Sequence, residues 1–148
     1  MTIKYSTLDF GKTSFDLEPP SYPGDCGYDL HVSEDIEIVP GANNVPTNLR
    51  IQLPPGTWGL ITGRSSTYQK HNLIVVPGII DHGYRGPIFA VVHNPTGFKM
   101  AIGAGERLAQ LILMRLITYP VQKVGNVDAS ERGDAGFGST NTEYRSGE

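Results

Sequence analysis

The 148 residues include 39% hydrophobic and 18% charged side chains and carry a formal net charge of −3, which suits one domain with a real core and excludes the disordered class. That charge argues against a general nucleic-acid binder, which presents a basic face, but leaves room for a small anionic ligand gripped by a few converging arginines. No apolar run approaches the ~20 residues that span a bilayer, the start lacks a signal-peptide h-region, and the single Cys26 cannot form an intrachain disulfide, so the expected setting is cytoplasmic (or nuclear, or host cytoplasm for a virus-encoded chain), with no membrane and no nucleic acid as partner.

Eighteen glycines and eleven prolines punctuate short β-branched runs, and no long stretch keeps a helical period, so strands should dominate. Residues 1–24 hold one possible short strand and then a proline-rich loop through Pro19-Pro20 and Pro23-Gly24. From Asp25 the pattern repeats. Tyr28, Leu30 and Val32 alternate with Asp29, His31 and Ser33, and Ile36 and Ile38, then Leu49, Ile51 and Leu53, and Trp58, Leu60 and Thr62 recur at the same every-second spacing. Strand and turn at this spacing predict an all-β sandwich or barrel.

Residues 65–71 form the one helical candidate, with Ser65 and Ser66 as potential N-cap hydroxyls. A strand over 72–77 runs into Gly78-Ile79-Ile80-Asp81, where Ile79 and Ile80 read as buried. Residues 88–93 are apolar enough to be buried on both faces, Phe98, Met100 and Ile102 alternate, and 108–116 reads as a long central strand. Beyond residue 127 only Phe137 and Tyr144 are large and apolar, which predicts a single domain over 1–127 and a flexible arm over 128–148.

Five segments are denser in special residues than a bland β-domain requires. Gly27-Tyr28-Asp29-Leu30 places an acid inside an alternating strand, which a solvent-facing Asp would also explain. Gly63-Arg64-Ser65-Ser66 opens the helix, where free N–H groups, the dipole and an arginine suit a phosphate; an ordinary cap with a surface Arg reads equally well. In Gly78-Ile79-Ile80-Asp81-His82-Gly83-Tyr84-Arg85-Gly86 a carboxylate follows a core strand, with an aromatic wall close by; a turn-capping Asp is the plainer reading. Gln110 sits among aliphatics after Gly105-Glu106-Arg107, pointing outward or bonded to something specific. Arg132-Gly133-Asp134-Ala135-Gly136-Phe137-Gly138-Ser139-Thr140 joins a cation, hydroxyls and one Phe on a glycine-rich stretch.

Taken in this order, the five segments resemble the motifs of the trimeric deoxyuridine triphosphatases (dUTPases). The resemblance covers about residues 24–140. It implies a jelly-roll-like β-barrel in a homotrimer, hydrolysing dUTP to dUMP and pyrophosphate with Mg2+, which keeps uracil out of DNA and supplies dUMP for dTMP synthesis. Asp81 would be the base that activates water for attack on the α-phosphate, and Tyr84 would stack under the deoxyribose. Asp29 would hold the Mg2+-triphosphate through water. Arg64, Ser65, Ser66 and Gln110 would contact phosphates, and the backbone of Val76, Pro77 and Gly78 would read the uracil. Arg132 and Ser139 would grip the γ end, with Phe137 over the uracil and Gly138 among the substrate-binding residues. In the family these parts come from different subunits.

Gly63-Arg64-Ser65-Ser66 departs from the Pro-Arg-Ser-Gly usual in dUTPases and is similar to the related dCTP deaminases, so a deaminase-related enzyme is one alternative and a regulatory protein on the same fold another. Val91 stands where those deaminases use a glutamate, and an aliphatic side chain cannot shuttle protons. His82, directly after Asp81, either couples to it or is an exposed turn residue.

Overall fold

In a computed structural model, which describes residues 1–8 and 13–136, the chain divides into two compact units, Met1–Ile117 and Thr118–Glu148. Among its described residues the first unit holds eleven strands and one helix: β1 (Lys4–Thr7), β2 (Gly27–His31), β3 (Ile36–Ile38), β4 (Gly41–Pro46), β5 (Leu49–Gln52), β6 (Thr57–Gly63), α1 (Ser65–His71), β7 (Ile74–Val76), β8 (Gly78–Ile80), β9 (Phe89–Asn94), β10 (Met100–Ile102) and β11 (Arg107–Arg115). Every strand pairing is antiparallel. The strands form a β2-β11-β6-β8 sheet, a β4-β9-β7 sheet and two strand pairs, β1-β5 and β10-β3. This is a jelly-roll-like all-β architecture with the one expected helix. None of the described helices is long and apolar enough to cross a membrane.

The core is aliphatic. Leu30, Ile38, Ile51, Ile61, Leu73, Ile88, Leu108 and Leu111 are each almost fully buried, each contributing roughly 1.5–3 kcal/mol. Strand β11, the most apolar run, is central: it pairs with β2 on one side and β6 on the other. Its composition would also fit a helix, but two flanking strands satisfy its backbone groups laterally.

Three sequence-based expectations about burial need correction. Ile80 is buried, but Ile79 is 68% exposed, because successive residues of β8 point to opposite faces of the sheet. In β6 the buried positions are Gly59 and Ile61, whereas Trp58, Leu60 and Thr62 lie on the other, half-open face. Strand β9 buries Ala90, Val92 and Asn94 but leaves Phe89 and His93 exposed, so only one of its faces is covered. The outward residues are not scattered. Leu60 lies opposite Ile79 and Ile112, and Trp58 opposite Met114, so they make one apolar patch across β8, β6 and β11.

The second unit has no helix or strand among its described residues. Gly133 N–H donates to Ser130 O (3.1 Å) and Ala135 N–H to Arg132 O (3.2 Å), which closes a turn at 130–135. The sequence-based start of the arm, residue 128, falls inside this unit.

Candidate active site

Strand pairing brings separate parts of the chain to one pocket. Gln110 on β11 lies directly opposite Asp29 on β2 and Thr62 on β6, so Asp29 and Gln110 are side by side on one face. The next turn of chain after β6 begins α1. Thr67 anchors this helix: its buried hydroxyl donates to Leu108 O at 2.6 Å, tying the first turn to the start of β11. The result is a pocket of about 490 Å3 whose walls include Asp29, Arg64, Ser65, Ser66, Arg107 and Gln110.

Asp29 is the electrostatic hub. Its Oδ1 lies 2.7 Å from Arg64 Nε, and its Oδ2 lies 3.4 Å from Arg107 Nη1. Arg64 also donates from Nη1 to Arg107 O at 3.2 Å. One carboxylate thus orients two guanidinium groups at the pocket wall, a fork suited to phosphate. The plain strand-Asp reading of Asp29 does not hold. Arg64 itself, not a serine, is the N-cap of α1 and makes no side-chain cap bond. Ser65 and Ser66 sit inside the first turn, which corrects their expected capping role.

Gln110 donates from Nε2 to Gly63 O at 2.8 Å, so of the two sequence readings the specific bond is the one realised. Its amide oxygen occupies the space that a Cβ at Gly27 would need. Gly27→Ala should therefore swing Gln110 out of place and break its bond to Gly63. We expect a stability loss of about 1–2 kcal/mol in chemical denaturation, together with weaker binding of inorganic tripolyphosphate. Unchanged values for both would show that Gln110 does not need this position.

The stretch from Gly78 to Gly86 forms a second, separate constellation. Val76, Pro77 and Gly78 carry the chain from β7 in one sheet to β8 in the other. Asp81 follows β8 immediately and is exposed, and its carbonyl accepts from Tyr84 N–H at 3.0 Å. The Tyr84 hydroxyl donates to Pro87 O at 2.9 Å, and its ring lies where a Cβ at Gly86 would go. Arg85 Nη1 braces the turn from beneath through His82 O and Tyr84 O, both at 2.8 Å. The aromatic wall expected from the sequence is therefore held rigidly, and still 42% exposed. His82 is half-buried rather than exposed, with a buried Nδ1 that lacks a hydrogen-bond partner.

The two constellations do not meet within one chain. Ile80 lies opposite Gly59, while Arg64 follows Gly63 at the far end of β6, so at roughly 3.3 Å per residue Asp81 and Arg64 are on the order of 15–20 Å apart along the strand. In the second unit, Arg132 Nε donates to Ala135 O at 2.7 Å. Phe137, Gly138 and Ser139 lie outside the described residues.

Sequence reasoning missed Arg107 and His31. Arg107 Nε donates to His31 Nε2 at 3.2 Å, and the His31 ring stacks on Phe15 with centroids 5.2 Å apart. Burial, and then the Arg107 charge, push the His31 pKa below its ordinary value, against an upward pull from Asp29 and Glu18. The neutral imidazole is the form that can accept from Arg107. The one available signal was the charge pair Glu106-Arg107 opening an apolar strand.

Among the described residues no group of three or more His, Cys, Asp or Glu side chains could cage a metal. A single carboxylate at a phosphate pocket does fit Mg2+, which keeps waters and takes its remaining oxygens from substrate phosphates.

Comparison with known proteins places the chain in a family. The dUTPase family model matches residues 13–141. The deoxyuridine 5'-triphosphate nucleotidohydrolase of Oryza sativa subsp. japonica is 40% identical over 117 residues, covering 78% of this chain and 68% of its own. The enzyme of the same name from Paramecium bursaria Chlorella virus 1 is 40% identical over 119 residues, covering 79% and 84%. Among solved structures, a mutant dUTPase of Staphylococcus bacteriophage 80alpha with dUpNHpp superposes with a TM-score of 0.83 at 26% identity, over 94% of this chain and 98% of that one. A mutant dUTPase from phage phi11 of S. aureus, described with a structural Mg(II) ion, has a TM-score of 0.75 over 85% and 98% of the two chains; at 23% identity it supports the fold alone. With the family model spanning most of its length, the chain belongs to the dUTPase family.

Proposed function

We propose that this protein is a dUTP diphosphatase, converting dUTP to dUMP and pyrophosphate by attack of an Asp81-activated water on the α-phosphate. The observation that carries this is the pocket in which Asp29 aims Arg64 and Arg107 beside Ser65, Ser66 and Gln110. Charge develops on phosphate oxygens in the transition state, and donors already fixed around it stabilise it without reorganising. Asp81 takes the water's proton, and Tyr84, locked by Pro87 and Gly86, stacks under the sugar and leaves no room for a 2′-hydroxyl. The backbone of Val76, Pro77 and Gly78 reads the uracil edge. Arg132, Phe137, Gly138 and Ser139 close over the ligand from the arm at 128–148, beyond the β-domain at 1–127.

Bound Mg2+ would neutralise the triphosphate, with Asp29 as the carboxylate that holds it through water. The working assembly is a homotrimer. Two features support that: Asp81 and the Arg64 pocket lie at opposite ends of β6, and the patch of Trp58, Leu60, Ile79, Ile112 and Met114 leaves apolar surface in need of a partner. A reducing compartment such as the cytoplasm suits the free, exposed Cys26.

The test is product analysis with purified protein and Mg2+ on dUTP, dCTP, dTTP and UTP. Pyrophosphate should appear from dUTP alone; ammonia from dCTP without pyrophosphate from dUTP would reject the reading in favour of a deaminase. In the same assay Gly86→Ala should displace the Tyr84 ring and lower the preference for dUTP over UTP by about tenfold or more, the range of a lost steric and stacking contact. A preference unchanged in that variant would remove Tyr84 from sugar selection.

A further inference from the structure

We propose that Arg107 is a further triphosphate-binding residue and that His31, braced by Phe15, is the positioning residue that sets its guanidinium; this rests on the dUTPase reading of the same pocket. Arg107 is a long, half-exposed side chain (47% of it accessible), and an unrestrained arginine there would sample many rotamers before meeting a ligand. The structure restrains it from one side. A break in register between Arg107 and Ala109 places Arg107 opposite His31 while Ala109 lies opposite Leu30, and such irregularities re-aim a side chain beside a site. Nε then donates to His31 Nε2 and Nη1 to Asp29 Oδ2. Both acceptors come from β2, so the guanidinium plane is fixed by two points on one rigid strand.

His31 is fixed in its turn. Its ring is stacked on Phe15 with an interplanar angle of 22°. Phe15 abuts Gly105, where φ is +88° and a Cβ would come within 3.2 Å of the ring. The chain of contacts therefore runs Gly105, Phe15, His31, Arg107, Asp29, Arg64, and it ends in the pocket wall. Arg107 lines that pocket together with Arg64 and Gln110.

The experiment compares the wild type with Arg107→Gln, His31→Phe and His31→Gln. His31→Phe keeps a ring on Phe15 but offers no acceptor. His31→Gln returns an acceptor near the Nε2 position. Calorimetric binding of inorganic tripolyphosphate, binding of deoxyuridine, and kcat and KM for dUTP are read for each. Arg107→Gln should weaken tripolyphosphate and raise KM by about tenfold, the scale of a lost charge-assisted hydrogen bond, with deoxyuridine binding unchanged. His31→Phe should show a smaller loss of the same kind, about threefold, with kcat within about twofold, and His31→Gln should recover most of it. Equal tripolyphosphate affinity in all four proteins overturns the proposal, as does a His31→Gln variant no better than His31→Phe. Wild-type protein that cleaves no dUTP rejects the dUTPase reading instead, and the tripolyphosphate titrations still decide the role of Arg107 and His31.

Discussion

Asp81→Asn should lower kcat for dUTP by about a thousandfold, within the range a positioned general base contributes and equivalent to about 4 kcal/mol of barrier. The amide keeps the size of the carboxylate and one acceptor oxygen, but cannot take up the proton of the attacking water. Little else should change. The side chain is exposed, and the bond that holds the turn runs from Tyr84 N–H to the Asp81 backbone carbonyl, which asparagine retains. Stability should stay within about 0.5 kcal/mol of wild type, and dUTP should still bind, because the donors to its phosphates lie elsewhere. Rapid-quench kinetics with a parallel binding titration separates these effects. A variant with wild-type kcat would end the assignment of Asp81 as base, whereas one that also failed to bind would show a role in the ground state.

The parts of this site that could be read from the chain are those whose signal is local. The α1 turn, the β8-to-Asp81 junction and the long strand under Gln110 each announce themselves within a few residues, and each appears where expected. What could not be read was pairing. Asp29 and Arg64 are brought together by the order β2-β11-β6, in which β11 comes last in the chain and lies in the middle. Arg107 escaped notice for the same reason, since its partners His31 and Asp29 are far away in sequence. The errors in burial share a physical cause. Ile79, Trp58, Leu60 and Phe89 look like core residues because their chemistry demands burial, and a pattern of hydrophobicity does not state whether the covering surface belongs to the same chain. Their exposure in one chain is better read as a surface meant for another copy than as a failure of the pattern.

That reading has a consequence measurable without a structure of the assembly. If each site takes Asp81 from one copy and the Arg64 pocket from its neighbour, two inactive variants should repair each other. One is Asp81→Asn; the other is the double substitution Arg64→Ala, Ser65→Ala, which strips the phosphate grip and leaves Asp81 intact. Each alone should retain about 1% of wild-type activity or less. In trimers assembled at random from equal amounts of both, a site is whole when the copy giving Asp81 is the double variant and the copy giving the pocket is Asp81→Asn. Each condition holds with a chance of one half, so about one quarter of all sites should work, and about one third in purified mixed trimers, each of which closes its ring with one whole site. Co-expression with two affinity tags, purification of mixed trimers and a pyrophosphate assay would measure this recovery. A gain of at least an order of magnitude over either parent is the expected result, because Asp81 and Arg64 stand on the order of 15–20 Å apart along β6 in one chain. Mixed trimers as inactive as their parents would require Asp81 and Arg64 to serve the same site within one chain, and the separation along β6 would then have to be bridged by a rearrangement of the sheet.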